Sequence, residues 1–321
     1  MKAAVYHKTG PPDVMQYEDV PDPEVRPGGV LIEVEAISIE GGDTLNRLGG
    51  AMAGDPHIVG YQCGGVVRGV GDRVTDRTVG QRVVATMAHG SHAELASVPS
   101  GSTWVVPDGL DMVEAACVPI AFGTADDCLF EFGRLQQGET VLVQAGASGV
   151  GLAAIQLAKR AGATVLATAS KDDKLERLAE LGVDHGVNYT TNDFVREARR
   201  LTDGRGVDLV VDSVGGHVLA GSLQCLAYRG RCVTVGNAGR EQGERYDLSS
   251  LMQGNQSITG VFLGAEIATD RVQTIIGRHL DDLASGELKV IIDRTFPLAD
   301  AAAAHAYLES RQAFGRVLLI P

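Results

Sequence analysis

No run of about 18 apolar residues and no charged-then-apolar leader occurs in the sequence, so neither a membrane span nor a secretion signal is expected. Cysteine is scarce. Cys63, Cys117, Cys128, Cys225 and Cys232 form an odd set without Cys-x-x-Cys spacing, which argues against a disulfide framework or a structural zinc and for reduced thiols in the cytoplasm. Basic residues are in the minority, 28 Lys and Arg against 41 Asp and Glu, and the formal net charge is −13. A surface of that sign repels phosphate backbones and anionic lipid at long range, which argues against a generic nucleic-acid or membrane binder and leaves room for a local basic pocket. There is no internal repeat and no low-complexity segment, and Ala301 to Ala304 is most simply part of a helix. What is plentiful is glycine, 41 among 321 residues, the mark of a chain of many tight turns and long enough for two domains.

The most informative segment runs from 140 to 171. An apolar strand, Thr140 to Gln144, leads into Ala145-Gly146-Ala147-Ser148-Gly149-Val150-Gly151 and then into a helical pattern from Leu152 to Arg160. A second strand, Thr164 to Ala169, completes a βαβ unit. A glycine turn that opens a helix lets backbone N–H groups approach a pyrophosphate without side-chain collision, which is how dinucleotides are held. Ser148 stands where the strict Gly-x-Gly-x-x-Gly spacing has its middle glycine. Ser170 and Lys171 follow the second strand, and a hydroxyl with a cation suits a ribose 2′-phosphate where a carboxylate would serve the bare ribose. The expected cofactor is NADPH. A shifted strand end would bring Asp172 or Asp173 to the ribose instead.

Around this unit the chain changes character. The first hundred residues read as short strands (2–6, 29–37, 63–70, 82–86 and 93–98) broken by Pro and Gly clusters, a β-rich module. From Thr140 onward strands (140–144, 164–169, 185–188, 208–212, 231–235 and 257–261) alternate with helices (174–181, 194–201 and 218–227), as in a parallel doubly wound sheet. The tail has a helix (270–285), a strand (290–296), an Ala-rich helix (299–309) and a last strand (317–320), a mixed pattern that suits a return to the first module.

This order of modules resembles the medium-chain dehydrogenase/reductase superfamily and, within it, the zinc-free quinone oxidoreductase branch that includes zeta-crystallin. The resemblance spans nearly the whole chain. It rests on Lys2-Ala3-Ala4, Asp43 to Arg47, Gly60 to Val67, Gly80 to Val83, Ala115 to Pro119 with Thr124-Ala125, Gly146 to Gly151, Asn188-Tyr189, Asp212 to Gly215, Gly236-Asn237, Leu308 to Arg311 and Gly315 to Val317. It implies an α/β protein with two parts, a GroES-like catalytic domain (1–119 and 262–321) and a Rossmann-type dinucleotide-binding domain (120–261). It also implies a homodimer joined through the edge strand 256–261. Zinc-dependent relatives place a Cys in the segment aligned with Glu40, Gly-His-Glu at Gly60-Tyr61-Gln62 and a Cys near Ala116. With Tyr61 and Gln62 poor zinc ligands and Cys117 one residue out of place, no metal is expected.

Without a Lewis acid an alkoxide is hard to stabilise, so hydride transfer to a quinone or a related conjugated carbonyl is the expected reaction. A 2-enal or 2-enoyl reductase is the alternative on the same scaffold, and a non-catalytic NADPH-binding, RNA-binding or structural protein is the alternative of another class. The resemblance places Glu40, Tyr61, Gln62 and Thr124 at the reaction centre, Thr124 being otherwise an ordinary helix residue. It places Gly146, Ala147, Ser148, Gly149, Val150 and Gly151 on the pyrophosphate, and Ser170, Lys171, Tyr189 and Arg311 around the 2′-phosphate, with Arg316 competing for the arginine's role. Ser213, Val214, Gly236, Asn237 and Phe262 complete the cofactor edge. Tyr189 has a plainer reading as a strand-end aromatic. Relatives that reduce quinones carry Asn at Glu40 and Tyr at Leu45. Glu40 is read either as a neutral proton donor in an apolar pocket or as one half of an ion pair with Arg47 or another base. Asp43 and Arg47 read as a pair across one helical turn, and His89 and His92 as an exposed loop pair.

Overall fold

The computed structural model describes residues 1–241, 246 and 248–321. Its internal contacts divide the chain into two units, Met1–Ile120 with Glu266–Pro321, and Ala121–Ala265.

Short strands make up the first unit: β1 (Lys2–Tyr6), β2 (Gln16–Asp19), β3 (Gly29–Ser38), β4 (His57–Ile58), β5 (Gln62–Val70), β6 (Arg82–Thr86), β7 (Leu95–Pro99) and β8 (Thr103–Val105). The second unit holds β9 (Thr140–Val143), β10 (Thr164–Ala169), β11 (His185–Asn188), β12 (Val207–Asp212), β13 (Leu226–Thr234) and β14 (Ser257–Gly260). The chain then returns to the first unit with β15 (Ile292–Pro297) and β16 (Arg316–Ile320). In the first unit β2-β1-β4 form one small sheet, and β15-β16-β3-β5-β6-β8 form a larger one to which β7 adds by pairing with β3. Strand β3 alternates buried apolar Val30, Ile32 and Val34 with more exposed residues, and its buried face joins Ala4, Tyr6, Val67, Val83, Val317 and Leu319 in one core.

The second unit is the doubly wound parallel sheet, ordered β11-β10-β9-β12-β13-β14. Strands β9 and β12 are buried along nearly their whole length, as expected where helices cover both faces of a sheet. Strand order reverses between β9 and β12, and in such sheets the crevice at the carboxyl ends of the strands beside this point is where ligands bind.

Several local expectations need correcting. The short strands β2, β4 and β8 carry no pattern that distinguishes them from loops, because their pairing is decided by the neighbouring strand. Arg47 does not pair with Asp43 on its own helix. The guanidinium lies fully buried and meets Glu309, which draws helix Gly41–Gly49 to helix Ala301–Glu309. His89 is exposed, but His92 is buried, with its Nε2 3.0 Å from Nε2 of His305. Burial lowers the His92 pKa to about 3 and holds His305 well below its ordinary value, so both are neutral rings that share one hydrogen bond.

Candidate functional site

In the second unit the expected cofactor residues line the carboxyl edge of the sheet. Ala145 leaves β9 in a left-handed conformation (φ 51°), and Gly146 follows, where a Cβ would lie 3.0 Å from both Ala167 and Leu178. Ser148 has a reason to replace glycine: it is the N-cap of helix Gly149–Arg160, and its Oγ accepts the Gly151 N–H at 3.1 Å. Gly151 itself is required by space, since a Cβ there would sit 2.4 Å from the Ala145 carbonyl oxygen. The N–H groups of Gly149 and Val150 have no acceptor among the described residues, which leaves two aligned donors at a helix N-terminus.

One strand over, β10 ends at Ala169, and Ser170 and the exposed Lys171 follow. Tyr189 is 44% exposed and lies at the same edge, its N–H donating to the Ala169 carbonyl at 3.1 Å. Asp172 accepts from the Asn188 side chain at 2.7 Å and Asp173 from the Lys174 N–H at 2.8 Å, so both carboxylates are engaged in the first turn of helix Asp172–Ala179. Across the switch point the turn after β12 and the turn after β13 are laced together. Ala238 N–H donates to the Ser213 carbonyl (3.1 Å) and Gly239 N–H to that of Val214 (2.8 Å). Asn237 turns its buried Oδ1, which has no partner among the described residues, toward Gly215. Phe262, 76% exposed, follows β14, and Thr124 is buried in helix Val118–Asp126. Arg311 belongs to the first unit, exposed and left-handed (φ 58°) just past helix Ala301–Glu309.

In the first unit Glu40, Tyr61 and Gln62 come together, around a residue expected elsewhere. Arg316 opens β16 fully enclosed, with both Glu40 oxygens on its guanidinium. Its Nε donates to Ser38 Oγ at 3.0 Å and one terminal nitrogen to the Ile39 carbonyl at 3.2 Å. The Gln62 amide nitrogen donates to Glu40, and its carbonyl oxygen takes the Ile120 N–H at 3.1 Å. Burial raises the Glu40 carboxyl above its ordinary range, and the Arg316 charge and hydrogen bonds pull it back only in part. Burial works to discharge Arg316 as well, but Glu40 together with Cys117 more than offsets it and holds the guanidinium protonated. Three N–H groups donate to the Glu40 oxygens, the geometry of an ion-pair acceptor rather than of a proton donor to substrate. Its base is Arg316, not Arg47, and Arg316 is removed from the 2′-phosphate role.

Tyr61 adds a phenol to this cluster. Its hydroxyl lies over the first turn of helix Gly41–Gly49, so close that a Cβ on Gly42 would sit 2.3 Å away. Burial, with the Asp43 and Glu40 charges adding to it, raises the phenol well above its ordinary pKa against smaller opposing contributions from the Arg316 charge and the Gly42 N–H. Asp43 is the functional candidate that the sequence reading passed over as structural. It is wholly buried, accepts the Glu40 N–H at 2.8 Å, and keeps its other oxygen without a partner among the described residues. Burial raises its carboxyl well above the usual range.

Known proteins match the sequence and the fold of this chain. An alcohol dehydrogenase GroES-like domain matches residues 26–108 and a zinc-binding dehydrogenase domain matches residues 149–278. A 2-haloacrylate reductase of Burkholderia sp is 35% identical over 99% of this chain and 98% of its own length. A quinone oxidoreductase of Pseudomonas aeruginosa is 34% identical over 97% of each. The crystal structure of Escherichia coli quinone oxidoreductase complexed with NADPH matches with a TM-score of 0.94 at 30% identity, over 100% of both chains. The chain belongs to the quinone oxidoreductase branch of the medium-chain dehydrogenase/reductase superfamily. Zinc appears in the name of one matching domain, yet the donor set does not fit it. Glu40 already holds a guanidinium and an amide, a cation beside Arg316 would be repelled, and among the described residues no three His, Cys, Asp or Glu side chains converge.

Proposed function

We propose that the protein is an NADPH-dependent reductase of quinones and related conjugated carbonyls that works without a metal. The observation that carries this reading is that the polar cluster of the first unit is built around the Arg316 guanidinium where a zinc enzyme needs ligands. An acceptor served by this cluster must spread the incoming electron pair by its own conjugation. Bound NADPH supplies the hydride. The free N–H groups of Gly149 and Val150 fit its pyrophosphate, and Ser170, Lys171 and Tyr189 its 2′-phosphate. Ser213, Val214, Gly236, Asn237, Phe262 and Thr124 serve the nicotinamide half. Tyr61 holds a proton at Oη for the acceptor's oxygen, and the charges of the Glu40–Arg316 pair act on its phenol.

NADPH oxidation with a panel of quinones, enones and acrylates, with and without chelator, tests the reading. Turnover lost to chelator, or no turnover with any acceptor, would overturn it. The similarity to a 2-haloacrylate reductase favours double-bond reduction as the second reading, and faster turnover of acrylates than of quinones would select it. Lys171→Ala should erode the preference for NADPH over NADH by about 10- to 100-fold, read from the two dissociation constants, with an unchanged ratio excluding the clamp.

The second unit also presents an open sheet edge. Strand β14 pairs only with β13 among the described residues, and the exposed apolar residues Tyr228, Leu248, Met252 and Phe262 belong to the segments around it. An unpaired edge with apolar neighbours favours pairing with a second copy. A homodimeric mass by light scattering at micromolar concentration is expected, and a monomer would refute it. Five free, buried cysteines support a reducing compartment, the cytoplasm.

No helix among the described residues is long and apolar enough to cross a membrane.

A further inference from the structure

A buried chain of hydrogen bonds crosses the second unit directly beneath the two loops assigned to the cofactor. The Ala145 N–H, in the glycine turn, donates to Thr168 Oγ1 on β10 at 3.1 Å, and that hydroxyl donates to Gln144 Oε1 at 2.7 Å. From the other end of the same amide, Gln144 Nε2 donates to Ser222 Oγ at 3.0 Å, and Ser222 donates to Asp212 Oδ2 at 2.7 Å. Asp212 Oδ1 then accepts the N–H groups of Val214 and Gly215, each at 2.8 Å. Thr168, Gln144, Ser222 and Asp212 are all at most 3% exposed.

The polarity of the chain dictates which residue can stand in the middle. Both hydroxyls are used as donor and acceptor at once, and the bonds run one way, from a backbone N–H of the glycine turn to a carboxylate. Gln144 must accept on one side and donate on the other. An amide does both, a carboxylate only the first and a hydrocarbon neither. The span is also specific. Gln144 follows β9 and Thr168 and Asp212 lie at the ends of β10 and β12, so the chain bridges the three strands around the switch point. At one end it fixes the turn that precedes Gly149, and at the other the turn that carries Ser213 and Val214.

We propose that Gln144 is a positioning residue for NADPH. Through Thr168 and Ser222 it locks the glycine turn and the 213–215 turn into one register, so that the pyrophosphate and nicotinamide halves of the dinucleotide meet preformed loops. The proposal rests on the cofactor reading above. Ser170, Lys171 and Tyr189 lie outside the chain, so the site for the 2′-phosphate end is left untouched.

Calorimetric titration of the full chain with NADPH and with adenosine 2′-monophosphate, which has no phosphate for the glycine turn, separates the possibilities. Gln144→Leu should weaken NADPH about tenfold while adenosine 2′-monophosphate binds within about twofold of wild type. Ser222→Ala, a smaller change that cuts the same chain, should produce the same split and serves if the leucine variant fails to fold. Equal weakening of both ligands would make Gln144 a general structural residue and overturn the proposal, as would NADPH affinity within about twofold of wild type in both variants. If the wild-type chain itself does not bind NADPH, the cofactor reading falls and this inference falls with it.

Discussion

Replacing Arg316 by leucine is expected to destabilise the fold by about 3–5 kcal/mol, the cost of leaving a buried carboxylate without its partner. Arg316 and Glu40 are 6% and 4% exposed, and the guanidinium also holds Ser38 Oγ and the Ile39 carbonyl; with the Gln62 amide left as the side-chain donor to Glu40, protonation of its carboxyl is the compensation expected. That compensation gives the variant a pH signature. Without Arg316 the raised carboxyl of folded Glu40 binds protons more tightly than in the unfolded chain, whose carboxyl keeps its ordinary pKa near 4.5. The folded state then holds the extra proton, and stability must fall as pH rises above that value, more steeply than in the wild type. Adding Glu40→Gln should restore most of the loss, because the amide removes the stranded charge. Urea denaturation at pH 5 and pH 8 of the wild type, the single and the double variant checks this. A single variant within about 1 kcal/mol of the wild type at both values would show that the pair carries little.

The parallel sheet was legible because its strands are buried on both faces and carry apolar cores, Val141 to Val143 and Leu209 to Val211: the strands Thr140–Val143 and Val207–Asp212 differ little between expectation and structure. The small strands of the first unit were not, since Gln16-Tyr17-Glu18-Asp19 forms a strand only by pairing with β1. For the site the difference is one of distance along the chain. The glycine turn and Lys171 sit within one βαβ unit, and local spacing exposes them. Glu40 and Arg316 are separated by 276 residues, and no periodicity joins them. One signal was available: an arginine heading the otherwise apolar Val317-Leu318-Leu319-Ile320 needs a buried partner, and only a carboxylate outside its own strand could supply one. Gln144 and Asp212, polar residues closing apolar strands, carried the same kind of signal for the hydrogen-bond chain.

Tyr61→Phe should lower kcat about 100-fold with conjugated carbonyl acceptors and leave NADPH affinity unchanged. The hydride and its electron pair leave the reduced acceptor with a charged oxygen, and a group beside it must surrender a proton. Glu40 cannot, because its oxygens accept from Arg316 and Gln62. Tyr61 can: burial keeps its phenol protonated well past the ordinary value of 10, so wild-type turnover should show no loss of the acid between pH 6 and pH 9. A second substitution separates the hydroxyl's chemistry from the ring's packing. Gly42→Ala keeps the phenol but puts a methyl where its oxygen now lies, 2.3 Å from it, and so displaces the donor without removing it. Both variants should lose kcat at constant NADPH affinity. Melting temperatures of Tyr61→Phe close to wild type would assign the loss to the proton, and kcat within about twofold of wild type in Tyr61→Phe would pass the role to solvent or to the buried Asp43 carboxyl.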